Sequence, residues 1–321
     1  MLQVTRERYG SPDVLSIVET PTPEIGEDGV LVRVRATSVN AADWHLMRGR
    51  PIVSRLGLGL RRPKSTGLGT DLAGVVEAVG SAVTELRPGD EVFGARDGAF
   101  AEIVAARVRN LVPKPSAISF EQAAAIPVAA TTALQAVRDI GGVSTGQRVL
   151  VIGAGGGVGS FVVQIAVSHG AVVTAVTRGS NIDAIRALGA TEVLDYERTD
   201  VTRGGRRYDV ILDVGGYRSL RDLARILEPG GCAVLVGAGK GTTYGLVSRI
   251  LVAAFRRRFR GQRMRFFLAR IDRDDLVVLA DLAARGAIVP LIDRTHPIRE
   301  VADAVRYAET GRVLGKVVIT V

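Results

Sequence analysis

The sequence predicts an α/β chain in two parts, a β-rich domain of barrel-like character and a doubly wound parallel-sheet domain. Three observations carry this. Residues 4–112 read as short strands punctuated by glycine and proline. From Gln147 onward, Val- and Ile-rich strands alternate regularly with helices, the pattern of a parallel sheet covered on both faces. A last strand, GKVVITV, follows two amphipathic helices.

In the first part, apolar residues alternate from Val30 through Val34, the period-two signal of a half-buried strand. Residues 71–80, DLAGVVEAVG, and 91–105, EVFGARDGAFAEIVA, behave similarly, and Pro88-Gly89 marks a turn between them. Near residue 118 the pattern becomes helical, and Pro127 divides FEQAAAIPVAATTALQAVRDIGGV into two helices. RVLVIGA is then a strand followed by a helix to His169, and AVVTAV precedes a helix over Ile182 to Leu188. TEVLDY, YDVILDVGG and CAVLVGAG complete the strands, with SLRDLARILEPGG as a further helix. Gly170, Gly189 and Gly230 stand where helix C-terminal caps belong, and Ser180 with Asp183 reads as a capping pair. DRDDLVVLADLAARGAIVP and REVADAVRYAETG are helices ending at Gly286 and Gly311. The expected domains are 1–117, 118–265 and a C-terminal return, 266–321, that completes the first; the active site is expected in the cleft between them.

Hydrophobic residues make up 47% of the chain and charged residues 23%, enough for a sizeable core and against bulk disorder. No apolar run reaches the roughly 18–20 residues of a membrane span, and the first residues lack a signal-peptide pattern, so a cytoplasmic protein is expected. The single cysteine, Cys232, builds neither an internal disulfide nor a thiolate metal cage. His45, His169 and His296 show no ligand spacing, so no metal site is expected. The net charge of +9 comes mostly from arginines spread along the chain. One cluster is denser: residues 248–270 interleave arginines with Phe255, Phe259, Phe266 and Phe267. It reads as an amphipathic segment whose aromatics dock on the core, with RNA binding as the alternative.

Five of the seven residues from Gly153 to Gly159 are glycine, between the apolar strand Val149 to Ile152 and the helix GSFVVQIAVSH. That context turns a weak glycine pattern into a dinucleotide pyrophosphate seat. Aligned to G-x-G-x-x-G, the key positions are Ala154, Gly156 and Gly159, so the first glycine is replaced by alanine. Phosphates would meet the N–H donors and positive partial charge of the helix N-terminus. The second strand ends in Thr177-Arg178-Gly179-Ser180-Asn181, with no carboxylate until Asp183. A carboxylate there selects the ribose hydroxyl of NADH, whereas Arg178 and small hydroxyls suit a 2′-phosphate, so NADPH is expected. Against this, Arg178 also reads as an ordinary surface arginine.

The stretches YGSPDVL, SVNAADWHLMRG, GTDLAGVVEAVGSAVTELRPGDEVFG, AAAIPVAATTALQAV, GAGGGVGSFVVQIA, ALGATEVLDY, YDVILDVGG and GKVVITV span nearly the whole chain. Together they resemble the medium-chain dehydrogenase/reductases, in the zinc-independent quinone oxidoreductase branch. The resemblance implies a GroES-like substrate domain with an inserted Rossmann domain, often in a homodimer. Zinc-dependent relatives carry a cysteine near the position of Asn40 and Gly-His-Glu where this chain has Gly69-Thr70-Asp71. The four-cysteine lobe that would follow residue 90 is also missing.

The implied reaction is hydride transfer from NADPH to a quinone or an α,β-unsaturated carbonyl. Asn40, by resemblance, lies beside the nicotinamide and donates to the carbonyl. Asp43 and His45 share its segment and either organise it, supply a proton or make structural hydrogen bonds. Trp44 reads as packing. The resemblance further implies cofactor contacts from Thr132, from Gly156, Gly157, Val158 and Gly159, from Tyr196, and from Gly237 and Ala238. Thr177, Arg178 and Asn181 belong to the same set through the second-strand end. Lys316 joins it from the terminal Gly-Lys, with a solvated strand charge as the plain alternative. Residues 48–69 read as a loop over the cleft, where the substrate would be chosen, and their Leu and Ile content suits an apolar acceptor. The open alternatives are an enoyl-thioester reductase and a non-catalytic NADPH-binding regulator or RNA-binding protein.

Overall fold

Burial along the strand Gly29–Val39 alternates as the sequence requires, then stops alternating. Val30, Val32, Val34 and Ala36 point into a core while Arg33 and Arg35 face solvent. From Ala36 to Asn40 every residue is buried, including Thr37, Ser38 and Asn40. A polar strand end covered on both faces is where the candidate site lies.

The computed structural model describes residues 1–236 and 261–321. They form two compact units, Met1–Thr131 with Ile271–Val321, and Thr132–Arg270. In the first unit the sheet order is Ile292–Pro297, Lys316–Thr320, Gly29–Val39, Asp71–Val79, Glu91–Ala95, Leu111–Pro113, with Ile103–Arg107 also pairing to Gly29–Val39. All pairs are antiparallel except Ile292–Pro297 with Lys316–Thr320. Val317 pairs with Val39, which brings Lys316 to the level of Asn40 across 276 residues of chain. The core beneath includes Val32, Leu72, Val92 and Leu111, and a second cluster gathers Met47, Phe100, Val305 and Ile319.

The second unit holds a six-stranded, all-parallel sheet in the order Glu192–Asp195, Val172–Thr177, Arg148–Ile152, Tyr208–Asp213, Leu227–Leu235, Arg263–Phe266. In chain order within the unit this is 3-2-1-4-5-6, which opens a crevice at the carboxyl ends where the order reverses. The strand before the glycine loop is the one at that reversal. Leu150, Ile211, Leu223 and Leu235 fill the core, and truncating any one to Ala would cost about 3 kcal/mol.

The two helices divided by Pro127 are Phe120–Ala124 and Pro127–Leu134, and the second widens into a π-helical stretch over Gln135–Gly141. Gly170 and Gly189 take the left-handed conformation just beyond their helices. Gly230 is also left-handed but caps no helix: Leu220–Ile226 has already ended in extended Leu227, and Gly230 lies in the strand Leu227–Leu235 where its register with Tyr208–Asp213 shifts. Ser180 does not cap the next helix: residues Gly179–Asn181 form a separate 3-10 turn, and the Ser180 hydroxyl donates to Asn181 Oδ1. Side-chain caps occur instead at Ser119 and Ser219. Of the Arg/Phe cluster, residues 248–260 lie outside the described residues. Its later part forms the strand Arg263–Phe266, with Met264 buried and Phe266 packed on the core.

Candidate active site

Three strand ends converge in the first unit. Asn40 follows Val39 and caps the helix Ala41–Arg48; Asp71 opens its strand; Lys316 opens the last one. All are buried, at 9%, 0% and 3% exposure. Lys316 Nζ donates to Asn40 Oδ1 at 2.5 Å and to Asp71 Oδ2 at 3.2 Å, and Asn40 Nδ2 donates to Asp71 Oδ2 at 2.7 Å. With an ammonium on one side and a carboxylate on the other, the amide of Asn40 has one orientation only. Its oxygen is committed to Lys316 and one N–H to Asp71, which leaves the second N–H as the available donor.

Asp71 is itself anchored. Ser38 Oγ donates to its Oδ2 at 2.6 Å, and Val128 N, in the first turn of Pro127–Leu134, donates to its Oδ1 at 2.8 Å. Asp43 sits one helical turn below Asn40, and its Oδ2 accepts from Asn40 N at 2.7 Å, the carboxylate half of a capping box. Burial pushes the Asp43 carboxyl up to about 7, with the Asp71 charge adding to the rise. Backbone donation from Asn40 and the Lys316 charge oppose it. A carboxyl poised near neutrality exchanges a proton readily.

His45, two residues past Asp43, points elsewhere on the helix. Its ring lies 3.7 Å from that of Trp44, and its Nδ1 is buried without a hydrogen-bond partner. Burial lowers its pKa, so the ring is neutral at physiological pH, partly offset by Glu309. The four residues at Asn40 do not fit a zinc ion: the donors are an amide and carboxylates, and Lys316 already supplies the cation they hold. Among the described residues, no three His, Cys, Asp or Glu side chains cluster as metal ligands.

In the second unit the glycine loop follows Arg148–Ile152 and opens the helix Gly157–Ser168. Gly153, one residue ahead of the aligned motif, makes the sharp turn, with φ of 87° and Gly215 N only 2.8 Å from where a Cβ would stand. This explains how Ala154 replaces the first motif glycine: the turn is made before it. Gly159 is required by packing, since its Cβ would lie 2.1 Å from Gly153 O. Gly156 is the extended N-cap residue, and Gly157 and Val158 form the first turn with their N–H groups at the helix start.

Thr177 and Asn181 lie against the loop: a Cβ on Gly155 would meet Thr177 Oγ1 at 2.6 Å and Asn181 Nδ2 at 2.9 Å. Arg178 stands beside them, with Nε 3.7 Å from Glu197 Oε1. Tyr196 is exposed one residue beyond the neighbouring strand, its N–H bonded to Thr177 O. The structure adds a carboxylate that the second strand does not contain. Asp195 pairs in register with Thr177, and a Cβ on Gly179 would meet Asp195 Oδ2 at 2.6 Å. Thr132 is half-buried in the helix Pro127–Leu134, and Gly237 and Ala238 lie outside the described residues. Cys232 is buried and its Sγ donates to Ile140 O, with burial raising its pKa, so it is not a nucleophile. A cavity of about 380 Å3 bordered by Asp139, Asp209, Glu228 and Arg263 lies at the amino ends of these strands, the opposite end from the loop.

Sequence reasoning missed the role of Asp71, whose signal is an acidic residue opening an otherwise apolar strand. It also missed Gly153 and Asp195.

Two family models match, described as an alcohol dehydrogenase GroES-like domain over residues 26–116 and a zinc-binding dehydrogenase over residues 188–319. The chain is 32% identical over 326 residues to the 2-methylene-furan-3-one reductase of Solanum lycopersicum, covering 97% of this chain and 76% of that protein. It is 32% identical over 330 residues to the NADPH-dependent alkenal/one oxidoreductase of Arabidopsis thaliana chloroplasts, covering 97% and 77%. The quinone oxidoreductase structure from Coxiella burnetii superposes with a TM-score of 0.86 at 29% identity, covering 100% of this chain and 99% of that one.

Proposed function

The chain belongs to the medium-chain dehydrogenase/reductase family, in its quinone oxidoreductase-like branch, and from that premise we propose that it is an NADPH-dependent, metal-free reductase of quinones or α,β-unsaturated carbonyls. NADPH, when bound, supplies the hydride. The chain's own residues bind, orient and polarise. The N–H groups at the start of Gly157–Ser168 receive the pyrophosphate, and Thr177, Arg178 and Asn181 receive the adenosine end with its 2′-phosphate. The remaining N–H of Asn40 donates to the acceptor's carbonyl oxygen, where negative charge develops. Asp43 exchanges the proton that the reduced product needs.

The observation that carries this reading is the fixed amide of Asn40, locked between Lys316 and Asp71 with one donor to spare. A preorganised donor costs no reorganisation during the reaction. The matched plant enzymes, named for 2-methylene-furan-3-one and for alkenals and enones, support an activated alkene as acceptor. We extend the proposal to a cytoplasmic homodimer, which light scattering tests.

One observation favours NADH instead: the Asp195 carboxylate beside Gly179 would repel a 2′-phosphate. Cofactor oxidation assayed with a panel of quinones, enones and enoyl thioesters tests both. Turnover of enones or quinones with a preference for NADPH is expected. Turnover of enoyl thioesters alone would move the substrate class, equal use of NADH would overturn the Arg178 assignment, and NADPH binding without turnover would make the protein a regulator.

A further inference from the structure

Between Asp43 and Asp71 the sequence contains no carboxylate, while Arg48, Arg50, Arg55, Arg61, Arg62 and Lys64 all fall there. The same stretch carries the densest run of exposed aliphatic side chains in the first unit. Ile52 is 67% exposed, Val53 50%, Leu56 71% and Leu60 66%. Residues 52–58 form a 3-10 turn, Ile52–Ser54, running into a helical turn, Arg55–Leu58.

The segment is built inside out. Arg55 faces the protein: it stacks 4.3 Å from the Tyr9 ring and donates to Gly49 O and Arg48 O, and Tyr9 OH donates to Gly59 O. Arg48 is held by Glu309. These ties fix the turns while the aliphatic side chains point outward. The remaining cations, Arg50, Arg61, Arg62 and Lys64, are exposed and have no ion-pair partner among the described residues. An apolar acceptor would account for the aliphatic side chains but not for four exposed cations, whereas the two together are what an anionic bilayer surface accepts.

We propose that residues 50–64 dock on the surface of an anionic phospholipid bilayer, with Val53, Leu56 and Leu60 entering the headgroup boundary and Arg50, Arg61, Arg62 and Lys64 engaging lipid phosphates. The charge complementarity chooses the occupant: a zwitterionic surface or an apolar protein partner would leave four cations unanswered. Docking needs no catalytic turnover, so this inference stands or falls separately from the proposed activity.

The test is flotation of the full chain with vesicles of phosphatidylcholine alone or mixed with phosphatidylglycerol. Expected is binding to the mixed vesicles, falling with salt, and at least about a fivefold weaker partition onto phosphatidylcholine. The charge-neutral variant Val53→Ser with Leu56→Ser and Leu60→Ser should lose at least about fivefold in partition. Arg61→Gln with Arg62→Gln should weaken it, while Arg87→Gln with Arg198→Gln, also exposed but elsewhere, should not. Circular dichroism and a cooperative thermal melt confirm that each variant is folded. Failure of the wild type to float, or equal flotation of the serine variant, would overturn the proposal, as would loss of a dimer in that variant, which would assign the surface to a second copy.

Discussion

Lys316 and Asp71 meet with Nζ 3.2 Å from Oδ2, their side chains 3% and 0% exposed. A pair this deep adds little net stability, because desolvation offsets the attraction, but removing one partner strands a buried charge. Lys316→Met is expected to lower unfolding free energy by about 3 kcal/mol, with Asp71→Asn added to it recovering much of the loss. Urea titration of the single and double variants measures this. If Lys316 acts by holding Asn40, kcat falls in Lys316→Met while NADPH affinity holds; a direct cofactor contact would weaken that affinity.

Removing the free donor tests the site itself. Asn40→Ala should cost about 10²–10³ in kcat/KM for an enone or quinone, as loss of a preorganised donor does elsewhere. NADPH affinity, read by fluorescence titration, should stay within about twofold, because the loss acts on the transition state.

Asp43 makes stability depend on pH. Its folded carboxyl ionises at about 7, well above the usual carboxylate range that the unfolded chain shows. The contribution is fully present below about pH 4 and is lost as pH rises towards about 7, since the unfolded state releases its proton first. Asp43→Asn does not titrate, so between about pH 5 and pH 8 the wild type should lose about 2 kcal/mol more than the variant. A limb near neutrality in the wild-type pH–rate profile should disappear with the substitution.

The proposed preference for NADPH rests on Arg178. Arg178→Ala should raise the KM for NADPH at least about tenfold and leave that for NADH nearly unchanged, as expected for a charge-assisted contact to phosphate. Asp195→Asn should shift the preference the other way, towards NADPH. Steady-state assays with both nucleotides decide the matter.

Much of the fold is legible because local periodicity and long-range packing agree in the parallel sheet. Strand, glycine loop and helix from Val149 to Ser168 announce themselves in one uninterrupted run. The Asn40 site is different. Its members come from strands separated by up to 276 residues, and polar side chains are buried there only because three strand ends close over one another. Period-two reading stops at Ala36, where burial ceases to alternate. Asp195 was invisible for a related reason: it reaches the second strand's end through register with Thr177, not through sequence position. Ser180 misled because a 3-10 turn intervenes before the helix.

The order of the strands carries a consequence for synthesis. Asp71 leaves the ribosome 245 residues before the lysine that neutralises it, so its carboxylate waits unpaired while the whole second unit is made. That unit is continuous from Thr132 to Arg270 and can close on its own contacts during translation. The first unit cannot, since its sheet lacks the strand that carries Lys316. The second unit thus matures first, and Asn40 is set in place only when the strand Lys316–Thr320 arrives.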